Sequence, residues 1–340
     1  MRSVTKKQLI IGFVLLFVGV LIFSVTMSIL GWNYTKLDKE KTQMQGTEIR
    51  SPFQNIVIKS GEADIELIAA DAYTVKVEYN EKKNYTEYIT VEGDTLIIES
   101  KDTRAWYEKL FSFTTPVIRV YLPRGEYGTL TVENDTGDFK SSGAFVFESI
   151  AIKQNTGDVS LASSAHGEIT IHLFTADATL HDISAGAVSV TTSTGDICLD
   201  TVECPGAIDL CLTTGECELS SLRCDTLSAK TGTGDIDVSK VRATTITIVV
   251  DTGEVELSDA IATGTLTVTS DTGDVSLDSS DAGEIYITTG TGDIQGTLLT
   301  EKIFLIVPGT GRVDVPKTVS GGRCELETET GNIIISIKTT

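Results

Sequence analysis

The chain has 340 residues, 41% of them hydrophobic and 6% aromatic, with six cysteines, three histidines and a formal net charge of −21. Residues 1–127 carry 16 basic and 16 acidic side chains, whereas residues 128–340 carry 11 and 32, so the whole excess belongs to the second part. That balance excludes direct binding to nucleic acid, which needs a basic surface to meet the phosphates.

Leu9 to Leu30 contains no charged residue. At 1.5 Å per residue such a stretch crosses a hydrocarbon core of about 30 Å. Arg2, Lys6 and Lys7 precede it and a mixed flank (Lys36, Asp38, Lys39, Glu40, Lys41) follows. The excess of basic residues on the leading side predicts an uncleaved, single-pass anchor in the plasma membrane. Residues 1–8 are then a cytoplasmic tail, 9–31 a transmembrane helix and 32–47 an extracellular tether, with Trp32 and Tyr34 at the outer interface. The segment lacks the short apolar region and small-residue cleavage site of a secretory leader.

Residues 48–127 hold strand-like runs, among them Ile56-Val57-Ile58, Ile65-Glu66-Leu67 and Leu96-Ile97-Ile98, without a regular turn between them. They are expected to form an N-terminal β cap, with Trp106, Leu110, Phe111 and Phe113 as an apolar flap or short helix.

From residue 128 to 340 the chain is periodic. A threonine followed by a small residue recurs eleven times, the second residues being Gly137, Gly157, Ala176, Gly195, Gly215, Gly234, Gly253, Gly273, Gly292, Gly311 and Gly331. The spacing is always 19 or 20. Seven before this residue runs an apolar column from Leu130 to Cys324, five before it a column from Val132 to Leu326, and two after it a column from Phe139 to Ile333. Period-two alternation on both sides of a turn makes half-buried strands. A unit that cannot bury its own apolar face must stack on copies of itself. The fold class expected is therefore all-β: a parallel β-solenoid, right-handed, of 19–20-residue coils, preceded by one transmembrane helix. Eleven coils would extend about 50 Å at the ~4.8 Å strand spacing. Ile183, Val202, Leu222 and Val241 recur seven past the turn and mark a second corner.

The residue after the turn is acidic in nine copies: Asp138, Asp158, Asp177, Asp196, Glu216, Asp235, Glu254, Asp274 and Asp293. Two readings compete. Asp is a favoured turn residue, and stacked carboxylates are also a candidate ladder for Ca2+, which prefers hard oxygen ligands. Cys204 and Cys224 occupy equivalent corner positions in adjacent coils, close enough for a disulfide, which an extracellular location permits; Cys198 and Cys211 are alternatives. The three histidines have no metal-site spacing, and no serine lies in a nucleophile-elbow motif. No catalytic residues are expected; the rival reading is a polysaccharide-active β-helix enzyme with paired acids on its flank. Ile333, Ile334, Ile335 and Ile337 end the last strand with no capping element after it, so this edge is expected to meet a partner or another copy.

The repeat T-G-[DE]-[VI]-x-[LV], the single N-terminal span and the run Val117-Ile118-Arg119-Val120-Tyr121-Leu122-Pro123 leading into the first coil resemble a bacterial family. It is the putative-adhesin family of β-strand-repeat proteins, a domain of unknown function with LiaG-like members, and the likeness spans roughly residues 48–340. The resemblance implies an adhesin-like or scaffold protein of the cell envelope, accessory to envelope-stress sensing, with an envelope protein or cell-wall polymer as its partner.

Overall fold

A computed structural model describes residues 6–29, 31–32, 43–71, 75–81, 84–105 and 115–338. Most of the expected tether and the aromatic run Trp106, Leu110, Phe111 and Phe113 lie outside the described residues. Lys6–Ile29 is one helix, and its window Gly12–Ile29, with mean hydropathy 2.5, is long and apolar enough to cross a membrane. The Trp32 N–H donates to the Met27 carbonyl (2.8 Å) and the Gly31 N–H to that of Ser28 (3.3 Å). With Gly31 at φ 66°, this pair of bonds is the Schellman ending of a helix.

The rest is a β-solenoid. In each layer a strand runs up to the Thr-Gly turn, a second strand leaves it, and both pair in parallel with their counterparts one layer away. Leu266 lies beside Ile285 and Val268 beside Ile287 on one sheet, while Val275 lies beside Ile294 on the other. The apolar columns face each other between the sheets. In the column seven before the turn, every member from Leu130 to Ile285 is at most 1% exposed. Each such side chain contributes about 1.5–3 kcal/mol by leaving water, so the stack is held mainly by its own repetition.

The second corner lies six residues past the turn, where Asp182, Thr201, Ser221, Lys240, Asp259 and Ser279 all have φ between 52° and 58°. The residue that follows points inward, and Ile183, Val202, Leu222 and Val241 are buried there as the spacing predicts. The alternation of 19 and 20 also has a local cause. Register breaks between Cys204 and Ala207, and again between Ala262 and Thr265, so the 20-residue coils carry their extra residue just beyond this corner.

The ends depart from simple repetition. Asn55–Ser60 and Asp64–Ala70, expected in a separate cap, form a full coil: Ile56 pairs with Leu130, Ile58 with Val132 and Ile65 with Phe139. Ala63 stands in the turn position and Asp64 in the acidic one. On the outer side of this coil lies the layer made by Thr95–Asp102 and Val117–Pro123. The chain therefore lays down its second layer before its first. Antiparallel strands then close this end, Tyr85–Glu92 on one sheet and Val75–Glu81 on the other, with Gln43–Ile49 beyond.

The other end repeats the inversion. Gly322–Thr330 lies between the strand Val275–Thr291 and Lys302–Thr310, and Ile333–Ile337 lies between Ile294–Leu298 and Val313–Asp314. The expectation that Ile333–Ile337 forms the open edge is thus overturned. The chain leaves one layer vacant after Leu298, builds the outermost layer, and returns to fill the gap. Cys324, Leu326 and Ile333 are 0% exposed as a result.

Candidate functional site along the acidic corner

The Thr-Gly-Asp corner is built by contact between layers. At Gly273 φ is 146°, and an added Cβ would lie 1.8 Å from the carbonyl oxygen of Gly253 in the layer before. Only a residue without Cβ fits that conformation and that approach. Ala176 breaks the motif without a left-handed backbone, since it is not among the described residues with positive φ.

Two hydrogen-bond ladders tie successive corners together. In the first, the Asp carboxylate accepts the backbone N–H of the equivalent residue in the next layer. Asp64 takes it from Asp138 (3.0 Å), Asp138 from Asp158 (3.0 Å), Asp158 from Asp177 (3.1 Å) and Asp177 from Asp196 (2.8 Å). Further rungs join Asp196 and Glu216, Asp235 and Glu254, Asp274 and Asp293, then Asp293 and Asn332, with breaks after Glu216 and Glu254. Asn332 takes the acceptor role for Arg312 (2.9 Å), so a neutral amide serves as well. In the second ladder, a buried polar side chain three before the turn donates to the turn carbonyl of the preceding layer. Gln154 reaches Gly137 (2.7 Å), Thr289 reaches Gly273 (3.1 Å) and Thr328 reaches Gly292 (3.0 Å).

The remaining carboxylate oxygens form an acidic edge. It is widest where Glu218, Asp237 and Glu256 stack in register two residues beyond Glu216, Asp235 and Glu254. Burial raises the Asp237 carboxyl above its ordinary range, and Glu256, Asp235, Glu218 and Glu216 raise it further. At the far end the Asn332 N–H and side-chain amide hold Asp293 below its ordinary range. Among the described residues no three His, Cys, Asp or Glu side chains converge as a metal-ligand set. In the candidate Ca2+ ladder, one oxygen of each bonded Asp is committed to a backbone N–H.

Cys204 and Cys224 are register partners on neighbouring strands, both buried and both free thiols. Burial pushes both thiols up, Cys224 to about 12. Cys211 is exposed and Cys198 half-buried, on outward positions of the strands.

One polar cluster has no signature in the repeat. At the closed end the Ser100 hydroxyl lies 2.8 and 2.7 Å from the two oxygens of Glu87 and 3.1 Å from the Ser60 hydroxyl, which accepts the Ala63 N–H. Tyr85 donates to Ser100 (3.1 Å), and the buried Arg104 lies over the Tyr85 ring and pairs with Asp102 and Glu62. Burial raises the Glu87 carboxyl. These residues converge only because the closing strand runs antiparallel, which spacing along the chain does not reveal.

Solved structures of similar shape include a putative adhesin from Parabacteroides distasonis, 12% identical, with 84% of this chain and 97% of that one covered and a TM-score of 0.44. A putative adhesin from Parabacteroides merdae is 12% identical over 76% and 97%, also at 0.44. A putative lipid binding protein from Parabacteroides distasonis is 13% identical over 86% and 97%, at 0.36. No curated protein matches the chain. The Toastrack DUF4097 model matches twice, over residues 53–223 and 218–340, covering the inverted first coils as well as the regular repeats, and the chain belongs to that family.

Proposed function

We propose that this is a membrane-anchored, adhesin-like scaffold of the cell envelope, with its N terminus in the cytoplasm and its solenoid outside. The observation that supports the reading is an unbroken stack of uniform core and varied surface on the same chain as one apolar helix. Such stacks are suited to binding extended partners along their length. An envelope protein or cell-wall polymer is the partner class, and an accessory role in envelope-stress sensing belongs to the same reading. The acidic edge favours partners bearing cationic groups. A glycoside hydrolase needs one carboxyl pair singled out, about 5–5.5 Å apart in retaining enzymes. Here carboxylates recur from Asp64 to Asp293, and every Asp among them accepts the same ladder bond. A Cys204–Cys224 bridge is part of the proposal for an oxidising exterior; alkylation and mass measurement with and without reductant test it.

The function is tested with the full chain in detergent micelles, mixed with isolated cell-envelope material. Retention on the envelope fraction without release of soluble sugar is expected. Sugar release would contradict the scaffold reading and favour the enzyme.

A further inference from the structure

The two tips of the solenoid are finished differently. At the closed tip the outermost core residues Leu96, Ile98, Ile118 and Val120 are all 0% exposed, because an antiparallel strand covers the edge of each sheet. At the other tip the same columns emerge into solvent. Phe304 and Ile306 are only partly buried, and Val313 is 41% exposed where Ile294 and Ile333 of the same column are at 0%. On the outer face of the edge strand, Ile303, Leu305 and Val307 are 46%, 44% and 48% exposed. This tip has open strand edges and open core together.

We propose that a second copy of this chain covers it, tip to tip, about a twofold axis normal to the sheets. That operation keeps each sheet on its own side and reverses strand direction, so the edge strand Lys302–Thr310 meets an antiparallel partner. This is the pairing with which the chain closes its other tip. Centred on Leu305, the strand Lys302–Thr310 is self-complementary: Ile303 faces the partner's Val307, Leu305 faces its counterpart, and the outward apolar row doubles in length. Phe304 and Ile306 continue the core across the junction.

Charge selects this tip for self-contact. Residues 128–300 carry 6 basic and 27 acidic side chains, whereas residues 301–340 carry 5 of each. The acidic column itself ends in Arg312 and Asn332. Elsewhere on the repeats two copies repel; here they do not. The joint rod carries its two apolar helices at opposite ends, a geometry for bridging opposed surfaces.

The test uses the full chain in detergent. Sedimentation across a dilution series is expected to show twice the chain mass at high concentration and one at low. Leu305→Asp is expected to weaken the dimer by at least about tenfold, because it sets two carboxylates face to face in the middle of the junction. Leu305 is already exposed, so unchanged circular dichroism and melting verify the fold of the variant. In cells, a photoreactive benzoylphenylalanine at position 305 is expected to crosslink to a second copy. A chain that stays monomeric at high concentration, a dimer indifferent to Leu305→Asp, or crosslinks from position 305 only to another protein would each overturn the proposal.

Discussion

Asp158 donates its backbone N–H to Asp138 and accepts that of Asp177, so one residue closes two rungs of the corner ladder. Its role is that of an acceptor, and its charge is incidental to the stack. Asp158→Asn is accordingly expected to change stability little, while Asp158→Ala costs about 1–2 kcal/mol, read from denaturant midpoints. The turn glycine is more demanding. Gly273→Ala would drive a methyl group into the Gly253 carbonyl, at a cost of about 2–4 kcal/mol in the same assay. At the second corner Thr201 holds φ 57° although it is β-branched and exposed. Asn tolerates that conformation better, so Thr201→Asn is expected to gain about 0.5–1 kcal/mol.

At the scale of elements, the inverted layers are locked by buried polar groups. Lys302 Nζ lies 2.5 Å from Asp281 Oδ1, with both side chains less than a tenth exposed, and it donates to Thr300. The bond joins the outermost layer to the coil beyond which the chain skips. Breaking it by Lys302→Met leaves a buried carboxylate and is expected to cost about 3–5 kcal/mol, whereas adding Asp281→Leu recovers most of the loss. Hydrogen exchange should show residues 302–337 opening first. At the closed tip Glu87 gives a pH signature. Burial raises its carboxyl in the folded state above the ordinary 4.5. Its contribution to stability is then fully present below pH 4.5 and is lost as pH rises through the raised folded value. Glu87→Gln is expected to flatten that dependence and to stabilise this end at neutral pH, checked by melting between pH 4 and 8.

For the whole molecule, the periodic part was legible because three apolar columns, from Leu130, Val132 and Phe139 onward, keep one spacing through every layer. The coil around Ala63 and Asp64 has the same Ile56, Ile58, Ile65 and Leu67 spacing, but it lacks the Thr-Gly pair that advertises the others. Layer order was not legible at either end. Which edge a strand joins depends on contacts across the stack, and Ile333–Ile337 has the same pattern enclosed or exposed. The acidic column was visible as a column, yet turn preference, cation binding and backbone acceptance all select Asp at that position. The distances show the backbone acceptance directly.

We propose that the anchored rod works by binding, through its surface, another component of the envelope. In-cell crosslinking of the full anchored protein, followed by affinity purification, tests it most directly. A reproducible envelope protein or wall polymer attached to the solenoid is the expected result. Purification of the protein with nothing reproducibly attached, from cells whose crosslinking is verified on other envelope proteins, would contradict it.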